Sequence, residues 1–250
     1  MAIYDQEGFD ARFDWGTDGA RELSRNAKTV VVVDVLSFTT AVETGVTRGA
    51  RLYPLAWRGT RGPQPEALAR RIGGVAAVRR HETSPRRPFS LSPPSMMHAR
   101  PGLRIVVSSP NGAEVSLAAA ESAATVLAGC LRNAGAVARA ALAIGGPIAV
   151  IAAGERWRRS RTLRPSLEDL VGAGAILDAL EGASLSPEAA AAAAAYRGIA
   201  VDLMGAISQC SSARELSASG FGGDVAWAAE HDVSEAVPIL RARAFTRRES

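Results

Sequence analysis

This 250-residue chain is poor in the residues from which structural metal sites and disulfide scaffolds are built. Its two cysteines, Cys130 and Cys210, lie far apart and outside any CxxC pair. A structural zinc site needs closely spaced cysteine and histidine ligands, so none is predicted. The three histidines, His81, His98 and His231, are dispersed and belong to no motif. A reducing, cytoplasmic compartment is the default expectation for such a chain.

Signals for secretion and membrane insertion are also missing. Residues 1–18 are acidic and polar, whereas a secretory signal is basic and then apolar. No uninterrupted apolar run approaches the length that spans a bilayer, and the alanine run at 189–195 is typical of a soluble helix. We therefore predict a cytoplasmic protein with no membrane partner.

Several common catalytic motifs are absent. The chain contains no GxxxxGK[ST], GxGxxG, HExxH or GxSxG pattern, which argues against the usual nucleotide-binding, zinc-protease and α/β-hydrolase functions. The segment that begins at Asp34 is superficially similar to the DxDxT loop of haloacid-dehalogenase-like phosphatases. Leu36 occupies the place of the second aspartate, so the acid/base residue of that loop is missing.

The net charge of +4 attracts anions in general, including nucleic acid, acidic lipid and phosphorylated metabolites. The densest basic cluster spans residues 156–164 and is interleaved with Trp157. A solvated loop is one interpretation of it. A nucleic-acid-binding surface, whose affinity would fall steeply with salt, is the other. No RNA- or DNA-reading motif surrounds the cluster, so we expect no nucleic-acid partner.

Stretches typical of strands alternate with stretches typical of helices. The predicted strands lie at 30–35, 51–56, 75–78, 103–109, 124–127 and 147–153, and the predicted helices between them at 39–49, 65–71, 112–122 and 131–144. This alternation predicts an α/β fold with three layers, α/β/α, around a mostly parallel central sheet.

We treat residues 1–250 as one domain that begins with an N-terminal extension at 1–28. Residues 160–250 form a mainly helical C-terminal portion, with long helices at 168–180 and 187–208 and a short strand near 237–240. Residues 79–101 contain five prolines and show no sustained periodicity. Loops of that length in compact domains are often functional.

The valine run at 30–33 ends at Asp34 and is followed by hydroxyl-bearing residues. Such a run suits a parallel strand that is covered on both faces, and open α/β sheets bind ligands beyond the carboxyl ends of their strands. Asp34 is therefore a candidate catalytic residue and metal ligand. A plain helix cap is the alternative role for this aspartate.

A second strand end carries groups that suit an anion. Ser109, Asn111 and Gly112 supply a hydroxyl, a carboxamide and a flexible backbone at the start of a helix, where free N–H groups favour phosphate. A turn that merely joins strand to helix explains the same residues. Parallel strands end at one edge of a sheet, so we expect these groups to meet Asp34 and Glu155, which follows another strand.

Arg132 and Asn133 begin a further helix after a strand. An arginine in this position can hold an oxyanion with two parallel hydrogen bonds. Both residues are therefore candidate substrate ligands, although surface arginines are numerous in this chain.

A predicted helix begins with two adjacent acids, Glu168 and Asp169, which follow a candidate cap residue, Ser166. Acids at a helix start ordinarily interact with the helix dipole. They are also suitable ligands for Mg²⁺, which takes oxygen ligands and pairs with substrate phosphate. Together with Asp34 they make a candidate Mg²⁺ site.

Taken in order, these motifs resemble those of the 2-phosphosulfolactate phosphatase family. The resemblance is carried by Val31-Val32-Val33-Asp34-Val35-Leu36, Ser109-Pro110-Asn111-Gly112, Gly129-Cys130-Leu131-Arg132-Asn133-Ala134, Ala153-Gly154-Glu155 and Ser166-Leu167-Glu168-Asp169-Leu170-Val171-Gly172-Ala173-Gly174. It extends from about residue 29 to residue 240.

The resemblance implies a Mg²⁺-dependent phosphatase with a three-layer α/β/α fold that removes phosphate from 2-phospho-3-sulfolactate on a route to coenzyme M. Asp34 matches the family's strand-end aspartate, Asn111 and Gly112 its Asn-Gly turn, and Glu168 and Asp169 its paired acids.

We accordingly predict metal-assisted hydrolysis of a phosphomonoester, in which either a metal-oriented water or Asp34 itself attacks phosphorus. The expected partner is a small anionic phosphorylated substrate, and a homodimer is one assembly open to the chain. Ser37 stands where the family pattern predicts an arginine. That departure keeps a second interpretation open, namely a non-catalytic anion-binding or scaffold protein that has diverged from the family.

Overall fold

A computed structural model describes residues 3–56 and 64–248, in which strands and helices alternate. The strands are β1 (Ala11–Trp15), β2 (Thr29–Val33), β3 (Arg51–Ala56), β4 (Val75–Ala76), β5 (Arg104–Ser109), β6 (Thr125–Gly129), β7 (Ile148–Ala152), β8 (Glu155–Arg156), β9 (Leu163–Arg164), β10 (Pro238–Arg241) and β11 (Ala244–Arg247). The helices are α1 (Gly16–Ser24), α2 (Phe38–Thr47), α3 (Pro65–Ile72), α4 (Gly112–Ala119), α5 (Ala134–Ile144), α6 (Leu167–Asp178), α7 (Pro187–Ile199), α8 (Leu203–Gln209), α9 (Ser211–Ala218) and α10 (Gly222–Ala228).

Two parallel half-sheets make up the main sheet, whose strand order is β1-β7-β2-β6-β10-β11-β3-β5-β4. The first half contains β1, β7, β2 and β6, and the second contains β3, β5 and β4. The antiparallel β10–β11 hairpin joins them through one residue pair on each side, Ile239 with Leu127 and Phe245 with Leu52. Three antiparallel pairings separate the halves, so their strands run in opposite senses.

Helices cover both faces of the first half, which confirms the predicted α/β fold with a mostly parallel sheet. The alternation of strand side chains divides β2 between two hydrophobic clusters. Val31 and Val33 pack with α5, α6 and α7, whereas Val30 and Val32 pack with α1 and α4. A third cluster places α2 against β3, β5 and β11. All five residues of β2 are buried, as the valine run predicts.

Residues 11–24, which the sequence analysis assigns to an N-terminal extension, form β1 and α1 of the main sheet. Strand β1 is hard to recognise from the sequence because it contains the charged residue Arg12. Arg12 is buried, and its guanidinium donates hydrogen bonds to the carbonyl oxygens of Asp5 and Phe9. The sequence analysis also omits β11. The long helix predicted at 187–208 is divided into α7 and α8 by a 3-10 turn at Ala200–Asp202.

One described stretch, Pro187–Gln209, is long and apolar enough by length and composition alone to cross a membrane, which the sequence analysis did not anticipate. Core helices of soluble proteins pass the same test, so this is weak support for a membrane span. The buried side chains of α7 include Ala189, Ala192 and Ala193, which belong to the cluster formed with α6.

Candidate active site

Asp34 follows the last residue of β2, and its carboxylate is buried at the start of α2. Oδ1 accepts a hydrogen bond from the Phe38 N–H at 3.0 Å, and Oδ2 accepts one from the Gly112 N–H at 2.8 Å. The Asp34 backbone is fixed by Thr39, whose Oγ1 accepts from the Asp34 N–H and donates to the Asp34 carbonyl oxygen. The carboxylate is therefore held in one orientation by backbone donors from two helix starts.

Gly112 brings the end of β5 to the end of β2. The two strands lie in half-sheets that run in opposite senses, so the single parallel edge that the sequence analysis expects is not what brings them together. A Cβ atom at Gly112 would lie 2.5 Å from Cδ1 of Phe38 and 2.6 Å from Oδ2 of Asp34. Only glycine permits this approach of the backbone to the carboxylate.

The remaining residues of the β5 turn divide into two roles. Ser109 is buried, and its Oγ accepts a hydrogen bond from the Asn111 N–H at 3.2 Å, so Ser109 shapes the turn. The Asn111 side chain donates to Oε2 of Glu155 at 2.9 Å. Glu155 follows β7, so this bond ties together the ends of β5 and β7 beside Asp34.

Asp169 fastens the ends of two strands to the start of α6. Its Oδ1 accepts from the Val35 N–H at 2.7 Å, and its Oδ2 accepts from the Gly154 N–H and the Ser166 hydroxyl, both at 2.9 Å. Three donors thus occupy a carboxylate that is almost completely buried. The geometry gives Asp169 a positioning role within the site.

Glu168, the neighbour of Asp169, is also buried, but it is much less constrained by hydrogen bonds. Its side chain accepts from the Cys210 thiol, with Sγ 3.2 Å from Oε2, and Oε1 has no partner among the described residues. Burial and the neighbouring Glu168 raise the pKa of the Cys210 thiol to about 12, so the thiol keeps its proton. Glu168 is therefore free to bind through one oxygen.

Asp34, Glu155 and Glu168, which we call the Asp34 cluster, repel one another electrostatically. Burial, and to a smaller degree Glu168, raise the pKa of Asp34 to about 6, although hydrogen bonds from Phe38 and Gly112 oppose the shift. Burial and the nearby Asp34 raise the pKa of Glu155 to about 7. Burial and the charge of Asp34 also raise the pKa of Asp169. The site therefore holds more negative charge than its protein surroundings balance.

Arg80 is the cation that stands beside this cluster, and the sequence analysis missed it. Its Nη2 donates to Oγ of Ser37 at 2.6 Å and to the Leu91 carbonyl oxygen at 3.2 Å, while Nε donates to Oδ2 of Asp224 at 2.8 Å. The charge of Arg80 acts to lower the pKa of Asp34. Thus the guanidinium of Arg80 lies at Ser37, where the family pattern predicts an arginine. The indication of Arg80 that the sequence offered was its position in the 79–101 loop, which its length marked as a candidate functional loop.

The structure places Arg132 outside this site. Its Nε donates to Oε2 of Glu43 at 3.0 Å, Nη1 donates to Glu230, and the guanidinium lies 4.4 Å from the ring centre of Trp227. We call Arg132, Glu43 and Glu230 the Arg132 cluster. Arg132 is not among the groups that shift the pKa of Asp34. The structure therefore gives Arg132 partners within the fold, and its role as a substrate ligand stays a prediction.

Asn133 is likewise used within the fold. It is completely buried, and its Oδ1 accepts from the Cys130 N–H at 2.9 Å. Its Nδ2 donates to the carbonyl oxygen of Ala236 at 2.9 Å. Asn133 joins the turn after β6 to the segment before β10, and the structure does not bring it to Asp34.

A cavity of about 900 Å³ opens beside the cluster. Its walls include Leu36 from the loop after β2, Ser108 from β5 and Glu155 from the end of β7. Arg80 and Phe221 line the cavity from the 79–101 loop and the C-terminal helices. The cavity is wide enough for a small molecule that carries several polar groups.

Comparison with known proteins agrees with the order of these motifs. A model of the 2-phosphosulpholactate phosphatase family matches residues 19–243. The chain belongs to the 2-phosphosulfolactate phosphatase family. A probable 2-phosphosulfolactate phosphatase from Thermus thermophilus is 31% identical over 226 residues, which cover 86% of this chain and 88% of that relative. Membership of this phosphatase family indicates a phosphoric monoester hydrolase, and it confirms the family resemblance that the motifs predict.

The donor set near Asp34 suits the way in which Mg²⁺ is usually bound in proteins. Mg²⁺ is commonly held by one or two carboxylates, with waters and substrate phosphate as the other ligands. Asp34 keeps a lone pair on each oxygen, and Glu168 has an unpartnered oxygen. Within residues 3–56 and 64–248, no three His, Cys, Asp or Glu side chains form a complete metal site by themselves. The residues therefore fit a Mg²⁺ ion that takes some ligands from these carboxylates and the others from water and the substrate phosphate.

Proposed function

We propose that this protein hydrolyses a small anionic phosphomonoester in a Mg²⁺-dependent reaction, with 2-phospho-3-sulfolactate as substrate and 3-sulfolactate and phosphate as products. The observation that supports the proposal most strongly is the buried Asp34 carboxylate, which two backbone N–H groups orient beside a cavity. The name of the Thermus thermophilus relative, a probable 2-phosphosulfolactate phosphatase, supports the choice of substrate.

Asp34 is oriented for either of two roles in phosphoryl transfer. With a pKa of about 6, it is ionised at neutral pH. It attacks phosphorus itself to give an acyl-phosphate, or it orients the water that attacks. In both routes a P–O bond forms on one side of phosphorus while the bond to the alcohol oxygen of the substrate breaks.

Glu155 is the proposed proton carrier. A pKa of about 7 allows this residue to give up and regain a proton near neutral pH, which is the condition for efficient general acid and base catalysis. The alcohol oxygen that leaves phosphorus needs a proton, and an attacking water loses one. The hydrogen bond from Asn111 keeps the Glu155 carboxyl at the edge of the cavity.

Asp34 and Glu168 are the proposed Mg²⁺ ligands, and Asp169 holds the segments that carry them. Bound there, Mg²⁺ would neutralise and orient the phosphoryl oxygens. The chain's own contribution is to hold the Asp34 and Glu168 carboxylates near each other and to keep the third acid, Asp169, occupied by three hydrogen bonds.

Phosphate release from a panel of phosphomonoesters tests the function directly. The panel contains phosphosulfolactate, phospholactate and glycerol phosphate, each assayed with Mg²⁺ and with EDTA. We expect release from phosphosulfolactate that EDTA abolishes and Mg²⁺ restores. Folded protein that releases no phosphate from any ester would contradict the proposal and favour a non-catalytic anion-binding protein.

A further inference from the structure

We propose, building on the phosphatase function above, that Arg80 and Ser108 form a subsite for a second anionic group on the substrate, distinct from the phosphate that reacts at Asp34. The second group is a sulfonate or carboxylate on the same small molecule. In this assignment Arg80 and Ser108 determine specificity, while the Asp34 cluster performs the reaction.

Arg80 is anchored on one side and open on the other. Nε and Nη2 are engaged by Asp224, Ser37 and the Leu91 carbonyl oxygen. Nη1, with two N–H groups, has no hydrogen-bond partner in the part of the chain that the structure describes. The guanidinium also lies 5.7 Å from the ring centre of Phe221. A guanidinium that is fixed in this way presents its free donors to the cavity with little loss of side-chain freedom on binding.

Asp224, which anchors Arg80, is itself held by a further hydrogen bond. Asp224 accepts from Nε of Arg80 through Oδ2 and from the Ser92 hydroxyl through Oδ1, at 2.8 and 2.6 Å. Only 6% of the Asp224 side chain and 18% of the Arg80 side chain are exposed. Arg80 is therefore part of a built site that ties the 79–101 loop to α10, rather than a mobile surface residue.

Ser108 supplies an independent indication of a ligand. Its Oγ is inaccessible to solvent and has no hydrogen-bond partner among the residues that the structure describes. Buried polar groups in proteins are almost always paired, so an unpartnered hydroxyl calls for an explanation. Ser108 lines the same cavity as Arg80, and an anion held there would accept the missing hydrogen bond.

The charge distribution explains why a second anion binds away from the reacting group. Glu155 lines the cavity and lies near Asp34, and both carboxylates repel an anion whose charge is not neutralised there. Arg156 is engaged, because it donates to Glu114 and to the Pro110 carbonyl oxygen. Arg80 lines the cavity and is held in place by Asp224, so it is placed to bind a sulfonate or carboxylate while the phosphate lies at Asp34.

The test compares substrates with and without the second anion. Steady-state kinetics would be measured for phosphosulfolactate and phospholactate, and for glycerol phosphate, which has a neutral remainder. Binding of 3-sulfolactate would be measured separately by calorimetry, so that one readout does not depend on turnover. The variants are Arg80→Met, Arg80→Lys and Ser108→Ala. Arg139→Met is the charge-matched control, because Arg139 is exposed and, among the described residues, pairs with Glu235 alone.

We expect Arg80→Met to lower kcat/KM for phosphosulfolactate and phospholactate roughly 30- to 100-fold and to weaken 3-sulfolactate binding by a similar factor. Glycerol phosphate should change less than about 3-fold, since it makes no charged contact with Arg80. Arg80→Lys keeps the charge but not the planar fork, so an intermediate loss is expected. Ser108→Ala should cost roughly 3- to 10-fold and leave the fold intact, because no hydrogen bond within the protein is lost.

Equal losses for all three substrates would overturn the subsite, because Arg80 would then act on the phosphoryl group. Calorimetric binding of 3-sulfolactate that is unchanged in both Arg80→Met and Ser108→Ala would overturn it as well. Failure of the proposed function has a different signature. Wild-type protein would release no phosphate from any ester, yet it would bind 3-sulfolactate in an Arg80-dependent way, and the subsite would stand.

Discussion

Two groups of buried charges lie close to the central sheet, and they are balanced in opposite ways. In the Arg132 cluster, Glu43 pairs with Arg132 at 3.0 Å, and the guanidinium is covered by Trp227. In the Asp34 cluster, three carboxylates lie close together beside a cavity that Glu155 lines, and Arg80, whose charge acts on Asp34, already pairs with Asp224. A buried acid that is paired with a cation inside the fold has a structural role, whereas carboxylates that are left with excess charge favour the binding of a cation.

The largest effect is expected from Asp34→Asn. Loss of the carboxylate removes both the candidate nucleophile and a metal ligand, so phosphate release should fall roughly 1000-fold or more. Release of phosphate from phosphosulfolactate measures this, with circular dichroism as the check on folding. Full activity in the folded variant would contradict both routes that we assign to Asp34.

Arg132→Met should damage stability rather than recognition. The change leaves the buried Glu43 charge unpaired, so the free energy of unfolding should fall by about 3–5 kcal/mol, while KM of the remaining folded enzyme changes little. Urea unfolding and substrate titration separate the two effects. In the control Arg139→Met, an exposed pair is lost and the expected change is below about 1 kcal/mol. A large rise in KM with unchanged stability would restore Arg132 as a substrate ligand.

Gly112→Ala tests the close approach of the β5 turn to Asp34. The added methyl group would displace Phe38 or the carboxylate, so activity should fall roughly 10- to 100-fold by misplacement of the reacting group. Gly198→Ala is the matched control, since a Cβ atom there meets nothing within 4 Å. Equal activity in the two variants would show that the Gly112 backbone has no part in orienting Asp34.

Glu155→Gln should stabilise the metal-free protein at high pH. Because the pKa of Glu155 is raised from 4.5 to about 7 in the folded state, the native protein loses stability as pH rises between these values. Glutamine does not ionise and can still accept from Asn111. At pH 8 the variant should therefore be more stable by about 2 kcal/mol, and at pH 4 it should match the wild type. Parallel unfolding curves for the two proteins from pH 4 to pH 8 would rule out the raised pKa.

The parts of the site that the sequence predicts are those fixed by local chemistry. The valine run identifies β2 and places Asp34 at its end, and the glycine at the start of α4 marks a close approach of the backbone. Arg80 could not be predicted in this way. Its partners Ser37 and Asp224 lie 43 and 144 residues away along the chain, and nothing near Arg80 in the sequence indicates them.

Arg132 shows how partners that are distant in the sequence bear on such a pattern. An arginine at the start of a helix after a strand has the pattern of an anion ligand, but its partner Glu43 lies 89 residues earlier in the chain. Whether an arginine binds substrate or balances a buried acid depends on which partners the fold brings to it. A sequence pattern shows which charged side chain is present at a position. Tertiary packing decides whether that charge is neutralised by a partner within the fold.

The central claim is that a bound cation balances the excess negative charge of the Asp34 cluster. It is tested by calorimetric titration of Mg²⁺ into the metal-free wild type and into Asp34→Asn at pH 8. We predict saturable binding to the wild type that is lost in the variant and weakens as pH falls below about 6, where Asp34 takes up a proton. Equal binding by both proteins, or no binding by the wild type, would contradict the claim.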